Sequence, residues 1–586
     1  MRKLLALSLA LVMVLATFAG CGGTATPPAD SGTPGTGEPA TGPKEAIVNL
    51  ASEPPEMNSI LTTSTGSMNV LRHIVEGLTM LDQHDTPVPA VAESWDYDAD
   101  TLTYTFHLRK DYKWNNGDPV TAQDFIFAWN TLFSFEAAAD YAGTWAPLIL
   151  GAKERMNVLT DEQYAKLDDA GKALVDAGKP TAELLADLAA KGYEDGIGYK
   201  ALDDYTIQVT LTGPCTYFLS VMAFPNFLPV NEKLYNEMGG LEAYGTEAEK
   251  IATNGPFKMT AWQHENSIVM EKNPDYPMAD DIKLDKLTMM MISDTGTAFN
   301  SFLAGEIDMI GLNADQAQSM RDQGKNVLFY DDGGNWYFEF NNTLAGLKNK
   351  KVRQAMTLAV DAELFIETIV RNSSTAAYSF TPPAIVGGAF TNKVGKLMNR
   401  VTDGDYSKVK ALLEEGLKEE GMTIDDLNAL NLSILTDEGD TAAKNCAFFQ
   451  EQWKTNLGVD VAVEQMTYKN RLERMTNKDF AIVYAGWGPD YNDPMTFLDL
   501  FVTGGGNNHT SYSNPEYDKL VAEAMKEGDA AKRDEILIKI EKIIAEDMPV
   551  GPVYNRARDY ICSDRLTGVV RTAFDDMNFR WCDIAA

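Results

Sequence analysis

Apolar residues fall at every second position in residues 102–108, 206–211, 336–341 and 459–463. That period places one face of each segment in a core and predicts β-strands. Residues 121–133, 351–359, 406–418, 517–525 and 531–546 carry their apolar residues at helical spacing instead. The first of these opens on Thr121, a capping residue type. A short continuous apolar run, Phe480 to Ala485, predicts a buried strand. Strands and helices that alternate in this way predict an α/β chain with mixed sheets. Residues 154–191 are polar, Ala-rich and helical in pattern. They interrupt a strand-rich region and are read as an insertion on a subdomain surface.

The N-terminus has a different pattern. Arg2 and Lys3 precede an apolar run from Leu4 to Phe18, followed by Ala19-Gly20-Cys21. A basic start, a short apolar run and small residues before the cut predict a secretory signal over residues 1–20. The run is shorter than the roughly 20 apolar residues of a membrane span. Cys21 after Ala-Gly is similar to a bacterial lipobox, which predicts a lipidated Cys21 and anchorage outside the cytoplasm at the cell membrane. Residues 21–45 are mostly Gly, Thr, Pro, Ala and Ser. They are read as a tether that cannot bury a core.

The chain of 586 residues is 45% hydrophobic and 10% aromatic, enough for a large core in several domains. A formal net charge of −35 argues against nucleic acid or an anionic membrane surface as partner. Besides Cys21 there are four cysteines: Cys215, Cys446, Cys562 and Cys582. None has metal-ligand spacing; two disulfides and buried free thiols remain equally open, and Cys562 and Cys582 are the pair closest in sequence. The five histidines lie far apart, with no His-Glu-x-x-His motif. No Gly-x-Ser-x-Gly elbow or phosphate loop occurs. Asp331 and Asp332 are read as ordinary turn residues. No catalytic constellation, cofactor site or metal site is expected, and the balance favours a binding protein over an enzyme.

The segment Gly486-Trp487-Gly488-Pro489-Asp490-Tyr491 carries candidate chemistry. Two glycines permit close approach of a backbone. An indole and one carboxylate stand beside them. Such a segment offers backbone hydrogen bonds, an aromatic wall and a negative charge to an extended ligand with a positive end, as a peptide has. The alternative is a strand-to-loop turn with an N-capping Asp.

Several ordered stretches carry a resemblance. They are Pro89-Ala-Val-Ala-Glu93-Ser94-Trp95, Tyr104-Thr-Phe-His-Leu-Arg109-Lys110 and Lys113-Trp114-Asn-Asn-Gly117-Asp-Pro119-Val-Thr121-Ala122-Gln-Asp124-Phe125. Thr253-Asn-Gly-Pro-Phe257, Ala304-Gly-Glu-Ile-Asp308, Phe338-Glu-Phe-Asn-Asn342 and Trp453-Lys-Thr-Asn-Leu457-Gly458-Val459 agree with them. Together they resemble the peptide-class extracellular solute-binding proteins, the receptor components of ABC importers. The segment around Asp490 is most similar to the oligopeptide-binding branch.

That resemblance implies a two-lobed clamshell of three domains, with a monomer as the expected state. The first lobe would comprise residues 46–75, an extra domain 76–216, residues 217–333 and a C-terminal return 555–586. The second would span 334–554. The ligand would lie extended between the lobes. Thr63, Ser64 and Thr65 match residues along one side of its backbone, and Gly486, Trp487 and Gly488 match the other. Asp490 matches the carboxylate that holds the α-ammonium. Tyr337 and Trp453 match pocket-lining aromatics, and Tyr491 follows in the same segment. Tyr484 stands where some relatives carry an Arg for the ligand carboxylate, so no cation is expected there. Gly334 and Gly488 replace a cysteine pair of the enterobacterial type. The expected function is capture of oligopeptides for an ABC permease. A dipeptide, a sugar or a metal chelate in the same fold is the alternative.

Overall fold

A computed structural model describes residues 42–585 except 194 and 195. The signal, Cys21 and most of the proposed tether lie outside the described residues. No helix among the described residues is long and apolar enough to cross a membrane.

The centre of the fold is a pair of long antiparallel strands, Leu328–Phe340 and Val550–Cys562, each of 13 residues. They run through the middle of an eleven-stranded mixed sheet. On one side follow Met309–Gly311, Glu45–Asn49, Lys286–Met290, Ser267–Lys272 and Phe257–Gln263. On the other side follow Ile482–Trp487, Ser433–Asp437 and Ala462–Met466. Glu45–Asn49 alternates buried and half-buried positions, the period-two pattern of a strand with one face on a core.

The hydrophobic cores divide across the central pair. One large cluster draws on residues 46–289 and, from the C-terminal end, on residues such as Tyr560, Phe579 and Cys582. Two others draw on residues 337–554, with Phe338 and Trp453 in one and Phe380 and Phe497 in the other. The ladder between the long strands slips where the cores part. Asp331 pairs with Ala557, yet Asn335 pairs with Asn555, so residues 332–334 bulge opposite Arg556. A bulge disrupts the ladder and bends the strand. Asp331 and Asp332 are therefore not plain turn residues: both lie inside a strand, at its bulge.

The tail is fixed to the first core by a buried ion pair. The Arg580 guanidinium donates to both Glu76 carboxylate oxygens at 3.0 and 2.9 Å and to the Tyr276 hydroxyl. A separate antiparallel sheet orders Ala92–Asp98, Thr103–Leu108, Thr206–Thr210 and Tyr199–Asp203. Ala122–Leu132 packs beside it, started by a capping box in which the Asp124 carboxylate accepts from Thr121 N at 2.7 Å. The polar segment after residue 154 holds three helices, Asp161–Ala165, Asp169–Gly178 and Ala182–Ala190.

Two expectations change. The strand expected at 459–463 starts later, as Ala462–Met466, because Gly458 ends the preceding helix in a left-handed conformation. All four cysteines of the described chain are free thiols. Burial pushes the Cys446 and Cys562 thiols up to about 12, so neither is a thiolate at neutral pH.

Candidate ligand-binding cleft

The strand Ile482–Trp487 ends at the boundary between the cores. One edge pairs with the long strand Leu328–Phe340 from Ile482 to Trp487. On the other edge Ser433–Asp437 pairs only Ile482 and Val483. Beyond Val483 that edge carries no strand partner among the described residues. It is a free template for an added strand.

Three cavities meet at the end of this strand, and Asp490 lines all of them. The first, about 1120 Å³, runs between Thr63, Thr65 and Tyr330 on one side and Gly488, Asp490 and Arg556 on the other. The second, about 1510 Å³, lies between Trp145 and Tyr217 on one side and Trp487, Asp490 and Asp499 on the other. The third, about 1030 Å³, is lined by Tyr337, Glu339, Arg471, Gly486, Trp487 and His509.

Asp490 is half-buried and caps no helix; its own amide donates to Thr496 Oγ1 at 3.0 Å. Among the described residues it has no cationic partner. Burial alone pushes its carboxyl up to about 6. Asp499 is pushed up to about 7, first by burial and then by the Asp490 charge. Asp493, three residues from Asp490, is in the opposite situation. Arg533 holds it in a two-pronged pair, Nη1 to Oδ2 at 2.6 Å and Nη2 to Oδ1 at 2.9 Å.

The other candidate residues divide. Thr63 and Thr65 are exposed on the first cavity, while Ser64 turns inward and caps the helix Thr65–Ile74, accepting from Ser67 N at 3.3 Å. Gly488 has open space where a side chain would start. At Gly486 a Cβ would lie 2.8 Å from the Trp336 ring, so the glycine is what lets the indole approach. Trp487 separates the second and third cavities, and its buried Nε1 has no partner. Tyr491 stacks on Tyr217 across the cleft at 4.1 Å. Tyr337 packs edge-on against Phe380 at 5.3 Å and shows a minor part of its surface to the third cavity.

Trp453 and Tyr484 line none of the three cavities. Trp453 is fully buried and donates to the Met356 carbonyl at 2.7 Å. Phe449, Trp453 and Leu457 recur at one-turn spacing and all face the core. Tyr484 is buried against Trp336 and Phe449.

The arrangement is a cleft between two cores, with an open strand edge and an unpaired carboxylate at its end. The sequence model of the bacterial extracellular solute-binding proteins, family 5 middle, matches residues 86–509. The chain belongs to this family. A dipeptide-binding protein, DppE, of Bacillus subtilis is 33% identical over 99% of each chain. An oligopeptide-binding protein, OppA, of the same organism is 33% identical over 93% of this chain and 95% of its own. Among solved structures, the substrate-binding domain of an oligopeptide ABC transporter from Bacillus anthracis superposes with a TM-score of 0.68. It is 30% identical and covers 94% of this chain and 100% of its own. Listeria monocytogenes OppA bound to peptide superposes with 0.67 at 29% identity, covering 93% and 100%. The two-lobed fold of mixed sheets is the fold of this family.

Sequence reasoning reached the first-core side of the cleft only at Thr63 and Thr65 and missed the rest of its lining. Tyr217, Thr216, Arg556 and Arg558 were not singled out, and Asp332 was read as a turn residue. Thr216 Oγ1 lies 3.1 Å from Arg533 Nη1 and 3.3 Å from Asp493 Oδ2, which ties the two sides together. The alternation Tyr554, Arg556, Arg558, Tyr560 was available as a signal, because it marks one face of a strand.

Proposed function

We propose that this chain is a peptide receptor of an ABC importer, which captures extracellular peptides between its lobes and hands them to a membrane permease. The observation that carries the reading is Asp490, a carboxylate at the meeting point of three cavities with no cation of its own. A buried charge is stable only when paired. A peptide α-ammonium supplies the pair. The open edge beyond Val483 supplies main-chain partners for the ligand backbone. The relatives named for peptides support the same ligand class. A sugar has no use for the Asp490 charge. The lobes are taken as 46–333 with 555–586 against 334–554, hinged where the long strands slip. Lipidated Cys21 anchors the receptor at the outer face of the cell membrane. Fractionation of a Cys21→Ser variant tests the anchor: release or failed processing is the expected outcome, and a mature lipidated product overturns it.

Calorimetry tests the ligand. Peptides of one length and unrelated sequence bind within about tenfold of one another, because most contacts go to the backbone. N-acetylation removes the ammonium and leaves Asp490 enclosed and unpaired. Loss of one partner of such a pair costs about 2–5 kcal/mol, or roughly 30- to 5,000-fold in affinity. Equal binding of free and acetylated peptides overturns the reading.

A further inference from the structure

A fourth cavity, about 1300 Å³, lies on the seam between the lobes and is not lined by Asp490. Asp85 and Pro87 line it from the first lobe, and Val386, Phe390 and Asn492 from the second. The Asn492 side chain spans this seam. Its Nδ2 donates to the Asp85 carbonyl at 3.3 Å, and its Oδ1 accepts from the Val386 amide at 2.7 Å. An amide that accepts at its oxygen donates more strongly through its nitrogen, because linked hydrogen bonds polarise one another.

The two ends of this relay differ in kind. Asp85 is at the tip of the hairpin that joins Thr79–Leu81 to Pro87–Pro89. The tip is fixed from two directions. Asp82 Oδ1 accepts from His84 N and Thr86 N at 2.8 and 2.9 Å, and Asp85 Oδ1 accepts from Thr572 Oγ1 of the C-terminal tail at 2.6 Å. The Asp85 carbonyl is therefore presented by a rigid support.

At the other end the backbone is strained. Val386, Gly387 and Gly388 are left-handed in succession, with φ of 51°, 55° and 82°. The glycines adopt this region freely. A β-branched residue there is a steric outlier. Such strain persists only where the surroundings impose it, and it lowers a population by roughly 5- to 150-fold. Packing does not impose it, since Val386 is 42% exposed. The Val386 carbonyl only closes the local turn, accepting from Ala389 N. The remaining restraint is the bond to Asn492.

We propose that Asn492 is a sprung latch between the lobes: closure seats its amide on the Asp85 carbonyl and holds Val386 in the left-handed turn, so that the strain opposes closure and speeds release of the ligand. This inference rests on the proposed closure of the lobes over a peptide and adds a control on how fast they part.

Val386→Gly and Asn492→Asp separate the spring from the latch. Glycine takes the turn without strain, so trialanine should bind roughly three- to thirtyfold tighter, with the gain in slower dissociation. Aspartate keeps the acceptor for the Val386 amide and loses the donor to Asp85. Dissociation should then speed up by about two- to twelvefold, the worth of one net hydrogen bond. In the double variant the glycine gain should vanish, because turn and hairpin are no longer joined. Calorimetry with trialanine and stopped-flow displacement of fluorescently labelled trialanine read these changes. Strain with a purely structural role is present with and without ligand. Val386→Gly would then raise the melting temperature of the ligand-free protein and leave affinity and rates unchanged, which overturns the inference. A glycine gain that survives in the double variant overturns it too. If trialanine binds no form of the protein, the peptide reading falls, and small-angle scattering of the ligand-free protein decides the latch. A smaller radius of gyration in Val386→Gly than in Asn492→Asp sustains it, and equal radii overturn it.

Discussion

Asp490 and Asp493 lie three residues apart on one loop, yet they face opposite requirements. Asp493 is buried in a two-pronged pair with Arg533, and Arg533 also donates to the Ala524 carbonyl and to Thr216. Every charge in that cluster is answered within the fold. Asp490 is half-buried in the cleft and has no cationic partner among the described residues. A fold gains nothing from an enclosed carboxylate without a partner. On the proposed function, the difference separates a carboxylate that holds the protein together from one that waits for a ligand.

The comparison breaks most clearly under substitution. Arg533→Ala strands the Asp493 charge in a site where both side chains are less than a tenth exposed. Removal of one member of a buried pair costs about 3–5 kcal/mol of stability. Asp490→Asn removes an unpaired charge, so denaturant unfolding should leave that variant as stable as the parent or more stable. Its affinity for peptides with a free amine should fall by roughly 30- to 5,000-fold. Equal losses of stability in the two variants would erase the distinction.

Proton linkage sharpens it. Burial holds the carboxyl of Asp490 at about 6 against an ordinary 3.8. It therefore binds its proton more tightly folded than unfolded. Its contribution to stability is present below pH about 4 and is lost as the pH rises through about 6. Asp499, at about 7, takes its proton first as the pH falls. A peptide ammonium favours ionised Asp490. Affinity should thus fall by up to about tenfold per pH unit below pH 6, with a proton released on binding. Calorimetry at pH 5.5 in two buffers of different ionisation heat measures that release. A release of zero would mean that no ammonium meets Asp490.

Local pattern made much of this fold legible. Thr121 and Asp124 announce the helix Ala122–Leu132, and alternation announces Thr103–Leu108 and Thr206–Thr210. The loop around Asp490 was legible because glycine, tryptophan and a carboxylate together are an unusual strand ending. Trp453 shows the limit of matching by position. It was matched to a pocket-lining aromatic, yet it packs in a core stripe with Phe449 and Leu457, which share its one-turn spacing. The two arginines were legible as one face of a strand, but their pairing with Asp332 was not, because they lie 224 and 226 positions from it. Only the slip in the central ladder brings them to one cavity. Tyr217 was hidden for a similar reason, since its partner Tyr491 comes from the other side of the cleft.

That last pair gives the smallest and most diagnostic effect. Tyr217 belongs with the first core and Tyr491 with the Asp490 loop, and their rings stack at 4.1 Å with planes 11° apart. The stack exists only while the two sides of the cleft are in contact. An aromatic pair is worth about 0.5–1.5 kcal/mol beyond the area that it buries. Tyr217→Leu keeps an apolar side chain and loses the stack. Peptide dissociation should therefore speed up by about two- to thirteen-fold, while thermal stability of the empty protein changes little. Stopped-flow displacement of a fluorescent peptide reads the rate directly. An unchanged rate with a lowered melting temperature would place this contact with Asp493 and Arg533, among the groups that hold the fold. A faster rate with unchanged melting places it with Asp490, among the groups that hold the ligand.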